Sequence, residues 1–131
     1  MATIRHEIFL SAAPDHVWEA VRDFGAVHTR LAVGFVVDCK RDGAARLVTF
    51  ANGMTAREEL VSIEEERRRL VYAVIGGRAT HYNASVEVLP EGAGSRFIWT
   101  IDLLPNELAG PIGAMAAQGA QAIERTLGAV R

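Results

Sequence analysis

The chain has a single cysteine, Cys39, in 131 residues. An internal disulfide is excluded, and a lone thiol suits a reducing compartment, so a cytoplasmic location is expected. There is no basic excess: 14 Lys and Arg stand against 16 Asp and Glu, a net charge of −2. That balance argues against nucleic acid or an anionic membrane surface as a partner. No apolar run approaches the roughly 18 residues of a membrane span. The opening MATIRHEIFLSAAPDH lacks the design of a secretory leader, so none is expected. No internal repeat, low-complexity tract or linker interrupts the chain.

Chemical signatures are equally sparse. His6-Glu7 begins like a zinc-protease motif, which needs a second histidine four residues after the first, but Leu10 stands there. No other His, Cys, Asp or Glu spacing resembles a metal site, so no metal and no other cofactor is expected. Gly92-Ala93-Gly94 and Gly110 to Gly113 lack the strand-to-helix context of a phosphate-binding loop. Ser11, Ser62, Ser85 and Ser95 lack a glycine-flanked nucleophile elbow. The run EEERRR, Glu64 to Arg69, reads as a solvated turn.

Apolar residues make up 50% and charged residues 23%, as in an ordinary globular protein. The length suits one domain over 1–131, able to bury roughly two-thirds of its unfolded surface. The longest periodic stretch closes the chain. Leu108, Ile112, Met115, Gly119, Ile123, Leu127 and Val130 recur every three or four residues, which places them on one helix face. Glu107, Gln118, Gln121, Glu124, Arg125 and Arg131 fall mostly opposite. A helix beginning near Gly110 or Pro111 and running about twenty residues spans about 30 Å, enough to cross a small domain. Gly113, Ala116, Gly119, Ala120 and Ala122 sit among the large residues of that helix. They allow two readings: close packing on a sheet, or a void beneath the helix.

Upstream, Thr3 to Leu10 alternates as a strand. Pro14 to Asp23 carries the helical stripe Val17, Trp18, Val21 and Phe24, with Gly25 placed to end it in a left-handed conformation. Ala26 to Leu31 suits a second short helical turn. Six strands follow: Phe35–Lys40, Ala45–Ala51, Met54–Glu64, Arg69–Ile75, Thr80–Leu89 and Ser95–Leu104. Short turns such as Asp42-Gly43 and Asn52-Gly53 make neighbouring strands antiparallel. The order is strand, two helices, six strands, helix. That is an α+β architecture: a curved antiparallel sheet of about seven strands wrapped on a long C-terminal helix.

This order resembles the helix-grip fold of the START-like (SRPBCC) superfamily, in its polyketide cyclase/dehydrase-like branch. The marks are AAPDHVWEAVRDF (Ala12 to Phe24), REELVSIEEERRRLVYAVIGG (Arg57 to Gly77), THYNASVEVLPEGAGSRFIWT (Thr80 to Thr100) and the last helix. The resemblance implies a hollow between sheet and terminal helix that takes an apolar small molecule. It implies that Glu58, Tyr72, Val74, Tyr82 and Ala84 face the hollow. By strand parity Met54, Ala56 and Leu60 join Glu58, and Trp99 joins Phe97 and Ile101. Met115 and Gly119 face it from the helix. Asn52-Gly53 and Gly76-Gly77-Arg78 match the two loops at the entrance. The plant-hormone receptors of the superfamily hold their ligand with a lysine on the strand after the first helices. The matching place here, near Val37, is apolar and Lys40 is poorly placed, so neither that receptor role nor its phosphatase partner is expected.

Glu58 is the leading candidate for chemistry. A carboxylate in an apolar hollow is disfavoured when charged, and could act as acid or base or hold a ligand hydroxyl. The competing readings turn Glu59 inward instead, or tie Glu58 to an arginine. His28, on the short helical turn, is a second candidate acid or base. Three functions follow. The first is binding or carriage of a lipid, isoprenoid or polyketide-like molecule. The second is a cyclase or dehydratase using Glu58 or His28, with Tyr72 or Tyr82 donating to a carbonyl. The third is a protein-interaction module, which predicts a filled core. The sequence leaves a homodimer open.

Overall fold

A computed structural model describes residues 2–129. Val130 and Arg131, assigned above to the two faces of the closing helix, lie outside the described residues. Seven antiparallel strands form one sheet in the order β1-β7-β6-β5-β4-β3-β2. They are β1 (Ala2–Leu10), β2 (Val36–Asp42), β3 (Ala45–Phe50), β4 (Thr55–Glu64), β5 (Arg69–Ile75), β6 (His81–Glu91) and β7 (Gly94–Leu104). Helix α1 (Pro14–Arg22) and a π-helical turn (Val27–Leu31) lie between β1 and β2. A short 3-10 turn (Asn106–Leu108) leads into the long helix α2 (Ala109–Leu127). The sheet is curved, in the helix-grip arrangement.

Sequential hairpins build β2 to β7, and the first strand closes the far edge by pairing with β7 from Ala2↔Leu103 to Leu10↔Ser95. Gly94 opens β7 because the Leu10 carbonyl occupies the place where a Cβ would stand. The buried Ser95 hydroxyl donates to the Ala12 carbonyl at 2.7 Å, and the Ser11 N–H donates to the Gly128 carbonyl at 2.8 Å. These bonds fix the β1–α1 link against both β7 and the end of α2.

Two expectations change. The Gly25 backbone is not left-handed; α1 ends at Arg22, with the Asp23 N–H bonded to the Glu19 carbonyl. Gly25 instead makes room for the Arg41 side chain, whose Cγ would lie 2.8 Å from a Cβ there. Nor is Glu64 to Arg69 merely solvated. The Trp18 indole N–H donates to Glu65 Oε2 at 2.8 Å, and Arg22 Nε donates to Glu65 Oε1 at 3.0 Å. Arg68, at φ 48°, reaches Asp15 at 2.8 Å. The turn is a clamp on the outer side of α1.

Candidate functional site

The sheet and α2 do not meet fully. A cavity of about 500 Å³ separates them, walled by α1, the π-helical turn, the middle of the sheet and α2. Alternation along each strand sets which residues face it. Ala56 and Glu58 from β4, Tyr72 and Val74 from β5, Tyr82 from β6 and Trp99 from β7 are on the wall. Met115, Ala116 and Gly119 face it from α2. Asn52, Met54, Gly76, Gly77 and Arg78 border it where the two turns are exposed.

Five expected wall residues are elsewhere. Ile101 is buried in the core and Leu60 packs against it, both off the cavity wall. Ala84 is fully buried between its register partners Tyr72 and Ile101 and does not reach the cavity. Gly53 sits at the turn tip with φ 88°, off the wall. His28 is half-buried and absent from the wall, because Val27 and Leu31 take the inward positions of its turn. Its Nδ1 is buried with no hydrogen-bond partner. Met54 does not continue the parity of β4, which starts at Thr55; it is 54% exposed on the rim.

Both readings of the small residues on α2 hold, at different positions. Ala120 and Ala122 are buried away from the cavity and serve close packing. Ala116 is buried facing the cavity. Gly119 borders the cavity, but a Cβ there would stand 3.0 Å from Phe35 Cε2 and 3.1 Å from Trp99 Cζ3. Its missing side chain admits two aromatic rings rather than leaving a gap.

The polar chemistry centres on a residue the sequence reading passed over. Arg46, on β3, faces inward like Val48 and Phe50 and is buried. Its Nε donates to Glu58 Oε1 at 2.8 Å, and its Nη1 donates to the Phe24 carbonyl at 3.2 Å. The guanidinium also lies over the Phe24 ring at 4.0 Å and the Tyr72 ring at 5.2 Å. Glu58 therefore faces inward with its charge balanced by an arginine. The place near Val37 is vacant of charge, as expected. A bulge between Val36 and Asp38 turns Val37 out to solvent, 53% exposed. The cavity's buried cation comes from the next strand instead.

Burial pushes the Tyr72 phenol well above its ordinary range, and the nearby Glu58 charge adds to the effect. Tyr82 is pushed up by the same two causes in the same order. A weak contact from the Trp99 indole acts the other way on Tyr72. The Trp99 indole N–H is buried without an aligned partner, although the Tyr72 hydroxyl is its neighbour. Among the described residues no three His, Cys, Asp or Glu side chains converge as a metal site would require.

The family model described as "Polyketide cyclase / dehydrase and lipid transport" matches residues 1–131. The chain belongs to that family. Solved structures share the fold. The chain is similar to the protein XoxI from Bacillus cereus at 18% identity and a TM-score of 0.85, covering 97% of this chain and 96% of that one. A protein from Thermobifida fusca matches at 25% identity and a TM-score of 0.72, over 100% and 99% of the two chains. Ara h 8.0201, a Bet v 1-like fold, matches at 16% identity and a TM-score of 0.72, over 96% and 97%. No curated protein matches the sequence. Among the described residues of this polyketide cyclase/dehydrase-family chain, no helix is long and apolar enough to cross a membrane.

Proposed function

We propose that the protein binds and carries an apolar small molecule, of the lipid, isoprenoid or polyketide-like kind, between the sheet and α2. The observation that supports this reading is the hollow itself: about 500 Å³ left unfilled by the protein's own side chains and walled mainly by apolar groups. Ligand sites are typically about 300–1,000 Å³ and built in this way. The family's description includes lipid transport beside cyclase and dehydrase chemistry. Asn52, Met54, Gly76, Gly77 and Arg78 then form the mouth, and Ala56, Val74 and Met115 touch the apolar body of the ligand.

The cyclase or dehydratase reading asks Glu58 to accept a proton and a phenol to give one. Arg46 already donates to Glu58 Oε1, and both phenols hold their protons more tightly than usual. His28 is off the wall. Those three features favour carriage over catalysis. An interaction module would have a filled core, and the cavity counts against it.

The test is native mass spectrometry of the purified protein. Wild type is expected to retain an apolar molecule, or to take up a neutral apolar dye, at one per chain. Ala116→Leu, which projects into the cavity, is expected to remain folded and lose that mass. Wild type that binds neither would overturn the reading.

A further inference from the structure

We infer that the cavity selects uncharged ligands whose polar end carries a hydroxyl beside a carbonyl, and discriminates against free carboxylates. This rests on the carriage reading above.

Four successive strands place polar side chains on the wall: Glu58 from β4, Tyr72 from β5, Tyr82 from β6 and Trp99 from β7, with Thr55 of β4 at the exposed rim. Glu58 accepts one hydrogen bond, at Oε1 from Arg46; nothing among the described residues donates to Oε2. The buried Trp99 N–H has no aligned acceptor, only the Tyr72 hydroxyl beside it, and no well-aligned hydrogen bond from another described residue reaches either phenol. Buried polar atoms are normally satisfied, and unsatisfied ones are costly. In the empty protein water can serve them; a ligand that displaces the water must replace those bonds.

The chemistry of the four dictates the complement. An ionised carboxylate only accepts, so Glu58 calls for a ligand donor. An indole N–H only donates, so Trp99 calls for a ligand acceptor. The phenols serve either. A hydroxyl next to a carbonyl satisfies both demands from one end of a molecule.

Charge decides what is rejected. The one buried cation among the described residues, Arg46, is already neutralised by Glu58. A carboxylate brought beside Glu58 would be a second negative charge with no counter-ion, in surroundings that penalise it. Glu58 lies close enough to both phenols for its charge to push them upward. Arg78 is exposed at the mouth and does not join them.

The experiment is displacement of the neutral dye N-phenylnaphthylamine by three ligands sharing one acyl chain: decanoate, methyl decanoate and hydroxyethyl decanoate. At a pH where the acid is ionised, the hydroxyethyl ester is expected to compete best and decanoate at least about tenfold worse. Glu58→Gln leaves Arg46 uncompensated and is expected to narrow or reverse that gap. Decanoate competing as well as the hydroxyethyl ester in wild type would overturn the inference while leaving carriage intact. Should Glu58→Gln fail to fold, the wild-type ranking alone decides. If neither the dye nor the esters bind wild type, carriage itself fails.

Discussion

Arg46 and Glu58 are direct register partners on β3 and β4, and their side chains meet at 2.8 Å beneath α2. Both are more than nine-tenths buried, so bulk solvent screens neither charge. Removing one partner of a buried pair costs roughly 3–5 kcal/mol, whereas replacing both with apolar groups of similar volume is often neutral or stabilising. Arg46→Met alone is therefore expected to lower stability by that order, and Arg46→Met with Glu58→Leu to recover most of it. Urea melts of the two singles and the double check this. A double variant no better than Arg46→Met would show that the pair is not an isolated charge balance.

The chain has only two tyrosines, Tyr72 and Tyr82, and both are on the cavity wall. Burial, then the Glu58 charge, raises both phenols. An unfolded tyrosine ionises near about 10, so the folded state keeps protons that the unfolded chain loses there. The stability this provides is fully present below that unfolded value and declines as pH rises toward the folded ones. Phenolate absorbance is expected to appear late, together with alkaline unfolding seen by circular dichroism. Ionisation of either tyrosine at the ordinary pH in folded protein would contradict the geometry.

Glu65 is lowered, first by the hydrogen bond from Trp18 and then by the one from Arg22. A depressed carboxyl stabilises above its unfolded value, about 4.3, and loses that contribution as pH falls through its folded value. The gap in melting temperature between wild type and Glu65→Gln should be widest near neutrality and close in acid. A gap constant with pH would mean that the clamp works without the charge.

Gly119 and Ala116, a helical turn apart on α2, are expected to respond oppositely to added volume. A methyl at Gly119 meets Phe35 and Trp99 at 3.0 and 3.1 Å. Overpacking costs about 1–3 kcal/mol, and only about 1 kcal/mol returns from the better helix propensity of alanine. Gly119→Ala is expected to be destabilised or near neutral. Ala116→Leu fills open space and is expected to hold or raise the melting temperature while excluding ligand. Thermal melts in parallel with dye uptake distinguish them.

Much of this was legible before any coordinates. Short apolar runs and turn signals announced the strands from β4 to β7; the helix-grip resemblance turned Glu58 and Tyr72 to one face, and parity added Trp99. A two-residue Asn52-Gly53 turn would set position 46 opposite 59; the Phe50 N–H bonds the Met54 carbonyl, so the turn is one residue longer and Arg46 pairs with Glu58. The inward parity of Arg46, shared with Val48 and Phe50, could be read. That signal was present but masked, because an arginine in a strand reads by default as a solvated residue. His28 was beyond reach: a single helical turn has no periodicity from which to fix its phase. The alanines of α2 were ambiguous for a different reason. A small side chain records that space was needed, but not whether protein or something else occupies it.

The charged run along β2 carries a last implication. This strand is one rim of the sheet and bears Asp38, Lys40, Arg41 and Asp42 past its bulge. A molecule built around a void forgoes packing that a solid interior would supply, and so opens its rim more readily. Unpaired amides there would otherwise invite a neighbour's strand to zip alongside. Kinked, and dense in charges of both signs, this rim is a poor template for such growth, which is how a hollow protein avoids seeding fibrils.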